Sequence, residues 1–111
     1  MNKFGAIKQT VDGIKFDSMS EARRWGELRL LEKAGEIRNL KRQVRIKLEG
    51  RDGPIRFHSS NRQAVYVADF VYEDRRLGWA EVIEDKKGFA TPEYKLKRAI
   101  LSAMGLEIVE T

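Results

Sequence analysis

Apolar positions change period along this chain, and each change predicts a different element. Val11, Ile14 and Phe16 flank Asp12-Gly13, and Asp-Gly readily takes the positive φ angles of a tight turn, so 10–16 reads as a β-hairpin. Met19, Ala22, Trp25, Leu28 and Leu31 then recur at helical spacing, with Arg23, Arg24, Glu27 and Glu32 on other faces. Asp17 or Ser18 can cap this helix, Ser18-x-x-Glu21 has the form of a capping box, and Gly35 is a suitable stop. From Ile37 to Leu48 the period drifts towards two, and Val44, Ile46 and Leu48 alternate with Arg45 and Lys47 as a strand with one basic face. Residues 50–54 form a turn signal, Ile55-Arg56-Phe57 starts a return strand, and 58–62 is a polar loop. Gln63 to Tyr72 is a β-rich run, and 73–76 is a turn. Trp79 to Asp85 is a strand whose continuous apolar middle predicts burial on both faces, and Gly88 breaks it. Thr91-Pro92 opens a second helix, with Leu96, Ile100, Ala103 and Met104 predicted to face inward and Gly105 as its end. Residues 106–110 form a last short strand. The order is hairpin, helix, three strands, helix, strand.

At 111 residues the chain suits a single α/β domain over 1–111, with a basic arm and hairpin at 1–16 and a modest core. It is 41% hydrophobic and 35% charged, the balance of a soluble globular protein rather than a disordered one. No apolar run approaches the roughly 18 residues of a membrane span, and Met1 to Ala6 lacks the apolar core of a signal peptide. An intracellular, cytoplasmic location is expected. With no cysteine and one histidine, His58, in a polar stretch, a zinc site is excluded, and any metal would take oxygen ligands, as Mg²⁺ or Mn²⁺ does. The formal net charge is +5. Its basic residues crowd at Lys41-Arg42, Arg45, Lys47, Arg51, Arg56 and Arg62, and again at Lys86-Lys87 and Lys95-x-Lys97-Arg98. That distribution favours a polyanionic partner over mere solubility.

The acidic positions carry the chemistry. Asp69 interrupts the apolar run Tyr66-Val67-Ala68-Asp69-Phe70, where an unpaired charge is costly. Glu84-Asp85-Lys86-Lys87 ends the next strand. Strands joined by a short turn lie about 4.8 Å apart, so two carboxylates can converge on one hard cation. A salt bridge to a nearby Lys or Arg is the alternative for Asp69. Both Glu84-x-Lys86 and Asp85-x-Lys87 fit an acidic-x-lysine pair, and strand parity admits only one of them. Glu21 is a third acidic candidate, although a glutamate at this place in a capping box ordinarily caps. Trp25 and Trp79 suit the core better than base stacking. Lys95, Lys97 and Arg98 follow the acidic strand, and Arg42, Arg45 and Lys47 can line its other side to hold phosphates.

These residues resemble the PD-(D/E)xK nuclease superfamily. More closely, the chain is similar to a small group of phage-encoded proteins related to Holliday-junction resolvases. The resemblance runs through Lys3-Phe4-Gly5-Ala6, Val11-Asp12-Gly13-Ile14, Phe16-Asp17-Ser18-x-x-Glu21-Ala22, Gln43, Tyr66 to Phe70, Glu84-Asp85-x-Lys87-Gly88 and Tyr94-x-x-Lys97. It implies a restriction-endonuclease-like mixed β-sheet flanked by helices, with an α-β-β-β-α-β core. Asp69 would be the motif aspartate, Asp85 the second metal ligand, Lys87 the motif lysine and Glu21 an extra acidic ligand. Gly88, directly after the lysine, favours the Asp85/Lys87 register over Glu84/Lys86. Gln43 matches a glutamine often beside the site, and otherwise is an ordinary strand-edge residue. Ala68 stands in place of the motif proline, and Lys86 where similar proteins often carry an apolar residue. The implied activity is Mg²⁺-dependent hydrolysis of DNA phosphodiesters, with Mn²⁺ able to substitute, selective for branched DNA. Arg42, Arg45, Lys47, Lys86, Lys95, Lys97 and Arg98 would hold the backbone, in a homodimer acting in the cytoplasm of a phage host. The competing expectation is a non-catalytic nucleic-acid-binding or complex subunit with a nuclease-like fold.

Overall fold

The computed structural model describes residues 9–11, 13–16, 18–86 and 90–111. The predicted arm at 1–8, Asp12, the alternative cap Asp17 and the Lys87-Gly88 pair lie outside the described residues. Strands β1 (Gln9–Val11) and β2 (Ile14–Phe16) pair antiparallel, Val11 opposite Ile14, as the hairpin. Gly13 between them has φ 76°, a conformation that a Cβ would oppose. Helix α1 (Met19–Lys33) starts where the capping pattern predicts. Ser18 is extended, and its hydroxyl accepts the Glu21 N–H at 3.2 Å, satisfying one of the amides that a helix start leaves open.

Strand β3 (Ile37–Lys47) is followed by the two-residue strands β4 (Glu49–Gly50) and β5 (Gly53–Pro54), which pair with each other. Then come β6 (Val65–Asp74), β7 (Ala80–Asp85), α2 (Pro92–Ala103) and β8 (Ile108–Glu110). The four long-range strands form a mixed sheet in the order β3-β6-β7-β8. Strands β7 and β8 are parallel, with Ile83 opposite Ile108 and Asp85 opposite Glu110. A parallel pair requires a crossover, and α2 supplies it.

The chain divides into two compact units, Met1–Leu40 with Tyr72–Glu81 and Lys41–Val71 with Val82–Thr111. In the first, Phe16, Ala22, Trp25, Leu28 and Ile37 are buried, and the Phe16 and Trp25 rings sit 6.2 Å apart. Arg38 stacks over Trp79 at 4.2 Å and pairs with Glu73. In the second, Leu48, Ala64, Tyr66, Ala68, Val71, Ile83, Leu101 and Ile108 form a continuous core. Among the described residues no helix is long and apolar enough to cross a membrane.

Four expectations change. Ile55–Phe57 makes no return strand, only a single bridge between Arg56 and Gln63. Strand β6 runs on through Glu73 and Asp74, because Asp74 begins the next turn rather than lying inside it: its carboxylate accepts the Arg76 N–H at 2.9 Å. Trp79, at φ 67°, ends that turn rather than starting β7. On α2, Leu96 is 63% exposed and Ala103 is exposed, while Leu101 is fully buried. The inward stripe is therefore Tyr94, Ile100, Leu101 and Met104, so Ile100 and Met104 face the core as their spacing predicts.

Candidate active site

Asp69 lies on β6 between the fully buried Ala68 and Phe70, and it is itself half-buried. Its side chain shares a face with Val67, one pleat away. Asp69 Oδ2 accepts the backbone N–H of Lys86 at 2.9 Å, and Oδ1 accepts from Gln43 Nε2 at 3.4 Å. Asp85, the last residue of β7, returns the link: its Oδ1 accepts the Asp69 N–H at 3.0 Å. Each aspartate thus ties the other's strand, and the two carboxylates are held together by backbone amides rather than by an ion pair. They line one cavity of about 220 Å³ with Tyr66, Val67, Lys86, Ala90, Tyr94 and Glu110.

Burial dominates the electrostatics. It pushes the Asp85 carboxyl up to about 6, helped by the nearby Glu110 charge and opposed by the Asp69 amide. Burial also raises Asp69; the Lys86 amide and Gln43 work against it, Glu84 adds to it and Arg42 opposes it. For both carboxylates desolvation is the largest cause, and it outweighs the hydrogen bonds that favour the charged form.

Glu110 lines the same cavity from β8, directly opposite Asp85 in register. Its Oε1 accepts from Arg98 Nη1 at 2.6 Å and its Oε2 from the Tyr94 hydroxyl at 3.3 Å. Glu84 points to the other side of β7, is fully buried, and accepts the Thr111 hydroxyl at 3.1 Å. Asp85 rather than Glu84 therefore meets Asp69. Because β7 ends at Asp85, strand parity says nothing about Lys86 or Lys87. Lys86 lines the cavity, and Lys87 falls outside the described residues.

Gln43 occupies a conformation that composition does not announce. It sits inside β3 at φ 52°, where a non-glycine residue costs about 1 kcal/mol or more. Of the β3 side chains, this strained one bonds Asp69. Arg45 and Lys47 are exposed on the same strand, and Arg42 is half-buried. On α2, Lys95 is exposed, Lys97 pairs with Glu93 at 3.2 Å, and Arg98 is held by Glu110. Glu21 belongs to the first unit, on the opening turn of α1, and the aspartates belong to the second.

Oxygen donors in this arrangement suit a hard divalent cation. A small ion such as Mg²⁺ needs only one or two protein carboxylates, taking its other ligands from water and phosphate, and Asp69 with Asp85 supply that number. Among the described residues no three His, Cys, Asp or Glu side chains group closely enough to hold an ion. Glu110 was not singled out from sequence. Its place beside Asp85 follows from the β7–β8 register, and nothing within 106–110 encodes that register.

No curated protein and no solved structure matches this chain. A family profile described as "Protein of unknown function (DUF1064)" matches residues 1–109, and the chain belongs to that family.

Proposed function

We propose that this protein is a metal-dependent nuclease that hydrolyses DNA phosphodiester bonds on a restriction-endonuclease-like core. The observation that carries the reading is the mutual tie of Asp69 and Asp85 in one cavity, with Asp85 raised to about 6 by burial. Buried neighbouring carboxylates with raised pKa values are costly to a fold, and they concentrate where a site needs them. Asp69 and Asp85 would hold Mg²⁺, or Mn²⁺ in its place. Such a cation supplies Lewis-acid polarisation of the phosphoryl group and acidifies the attacking water.

The chain's own groups do the remainder. The Lys86 amide and Gln43 fix the Asp69 carboxylate, so little reorganisation is needed when a phosphate arrives. Lys87 is proposed to orient the attacking water or hold a phosphate oxygen. Arg42, Arg45, Lys47, Lys86, Lys95, Lys97 and Arg98 would grip the backbone without reading bases, which suits selection of DNA shape, such as a branch. Symmetric cutting of a junction takes two sites, hence a proposed homodimer. A monomer in sedimentation that cuts junctions fully would remove the dimer from the scheme.

The decisive assay offers four-way, flapped and linear DNA with Mg²⁺, Mn²⁺ or EDTA to the wild type, Asp69→Ala and Asp85→Asn. Cutting that needs the cation and both aspartates is expected. Wild-type protein that binds DNA but never cuts it would favour a non-catalytic binding subunit, and cutting that survives Asp69→Ala would place the site elsewhere.

A further inference from the structure

We infer that Tyr94 and Arg98 form a seat for a backbone phosphate of the bound strand, and that Glu110 occupies this seat in the free protein. The inference deepens the nuclease reading above and rests on it. Tyr94 and Arg98 stand four residues apart on α2, which puts them on one helix face. Their hydroxyl and guanidinium converge on the two carboxylate oxygens of Glu110, at 3.3 and 2.6 Å. A guanidinium and a hydroxyl gathered around one oxyanion make the donor set that a phosphate also takes.

The position matches that use. Tyr94 and Glu110 line the cavity of the aspartate pair, and both also line an adjoining groove of about 510 Å³ that carries Lys95 and Arg98. A strand with its scissile phosphate at Asp69 and Asp85 would run past this seat into a groove where Lys95 and Arg98 stand beside Glu107 and Glu110. The occupant is displaceable. The Arg98 and Glu110 side chains are 39% and 31% exposed, and solvent screens ion pairs exposed to that degree. Glu110 therefore acts as an internal competitor. It neutralises Arg98 until an anion arrives, and its own charge weighs against ligands that do not reach Arg98.

A double-mutant cycle on binding tests this. Affinity for a labelled four-way DNA junction is measured in EDTA at low salt by fluorescence anisotropy, for the wild type, Glu110→Gln, Arg98→Ala and the double variant, with thermal melts as the folding control. Glu110→Gln is expected to tighten binding by up to about fivefold. Arg98→Ala is expected to weaken it and to abolish the Glu110→Gln gain. Equal gains in both backgrounds would overturn the seat and leave Glu110 as a repelling charge only; no gain in either would overturn it too. If Glu110→Gln fails to fold, Glu110→Asp, too short to reach both donors, is expected to give the same Arg98-dependent gain. Inorganic phosphate at millimolar concentration separates the sources of the anion. It is expected to compete with DNA only in proteins retaining Arg98, and competition as strong as that of an unlabelled oligonucleotide at equal phosphate would assign the seat to free phosphate instead of a strand. Cleavage is no part of this readout. Loss of the coupling with Mg²⁺-dependent cutting intact overturns this inference alone, whereas wild-type protein that neither binds nor cuts DNA overturns the nuclease reading and this inference with it.

Discussion

Asp85→Asn removes a charge while keeping the oxygen that accepts the Asp69 N–H, so the strand tie can persist as the electrostatics change. In the folded protein the Asp85 carboxyl is raised from 3.8 to about 6. The folded state therefore binds this proton more tightly than the unfolded chain does. Its contribution is fully present below the unfolded value and is lost as pH rises through about 6. A gap of about two units corresponds to a ceiling of roughly 3 kcal/mol at neutral pH. Solvent in the cavity screens part of this, leaving about 1–2 kcal/mol, or roughly 4–8 °C in melting temperature for a domain of this size. Without divalent cations at pH 8, Asp85→Asn is expected to melt higher than the wild type, with the two curves converging towards pH 4. Subtracting the curves cancels groups such as Asp74, whose carboxyl Arg76 holds below the usual range and whose contribution runs with the opposite sign. Mg²⁺ at about a hundred times its Kd would stabilise the wild type by roughly 2.7 kcal/mol and the variant far less. The readout is scanning calorimetry from pH 4 to 8, with and without Mg²⁺. A variant that melts at or below the wild type at pH 8, with an unchanged pH slope, would refute the claim that Asp85 is a desolvated charge awaiting a cation.

Three further outcomes are expected. Lys87→Ala should abolish cutting in the junction assay, while Lys86→Ala should only weaken it, since the Lys86 backbone N–H to Asp69 survives the change; the reverse ranking would give the lysine role to Lys86, which lines the cavity of Asp69 and Asp85. Gln43→Gly should leave the melting temperature level or higher, because glycine relieves the φ of 52°, yet cutting should fall at least about tenfold with the lost bond to Asp69. Asp74→Ala should cost about 1–2 kcal/mol in denaturant unfolding through loss of the turn cap, with cutting at 20 °C retained.

Local signals were readable wherever one or two residues decide the geometry. The Asp-Gly hairpin, the Ser18 cap and the Thr91-Pro92 helix start are of this kind, because a turn angle or an unpaired amide is satisfied within four residues. The inward face of α2 is legible in part: Ile100 and Met104 pack on the core as their spacing predicts, whereas the face centres on Leu101 and leaves Leu96 exposed, and only the packing against the rest of the core selects between them. The Glu84 or Asp85 ambiguity had the same origin. Two adjacent acidic residues end one strand, and the face that meets Asp69 depends on a pairing that neither residue encodes.

Sequence alone specified the order of the elements and the acidic pair of runs, Asp69 and Glu84-Asp85, with their basic flanks; the resemblance added Gln43 and favoured Asp85. Periodicity and capping are short-range physics, and they survive without knowledge of the fold. Tertiary structure decided which carboxylates meet. The β7–β8 register sets Glu110 opposite Asp85, α2 brings Arg98 and Tyr94 onto Glu110, and a strained backbone in β3 accompanies the reach of Gln43 to Asp69. These contacts join residues 12 to 26 positions apart. Their energies depend on burial and shared charge, which exist only after the chain has closed on itself.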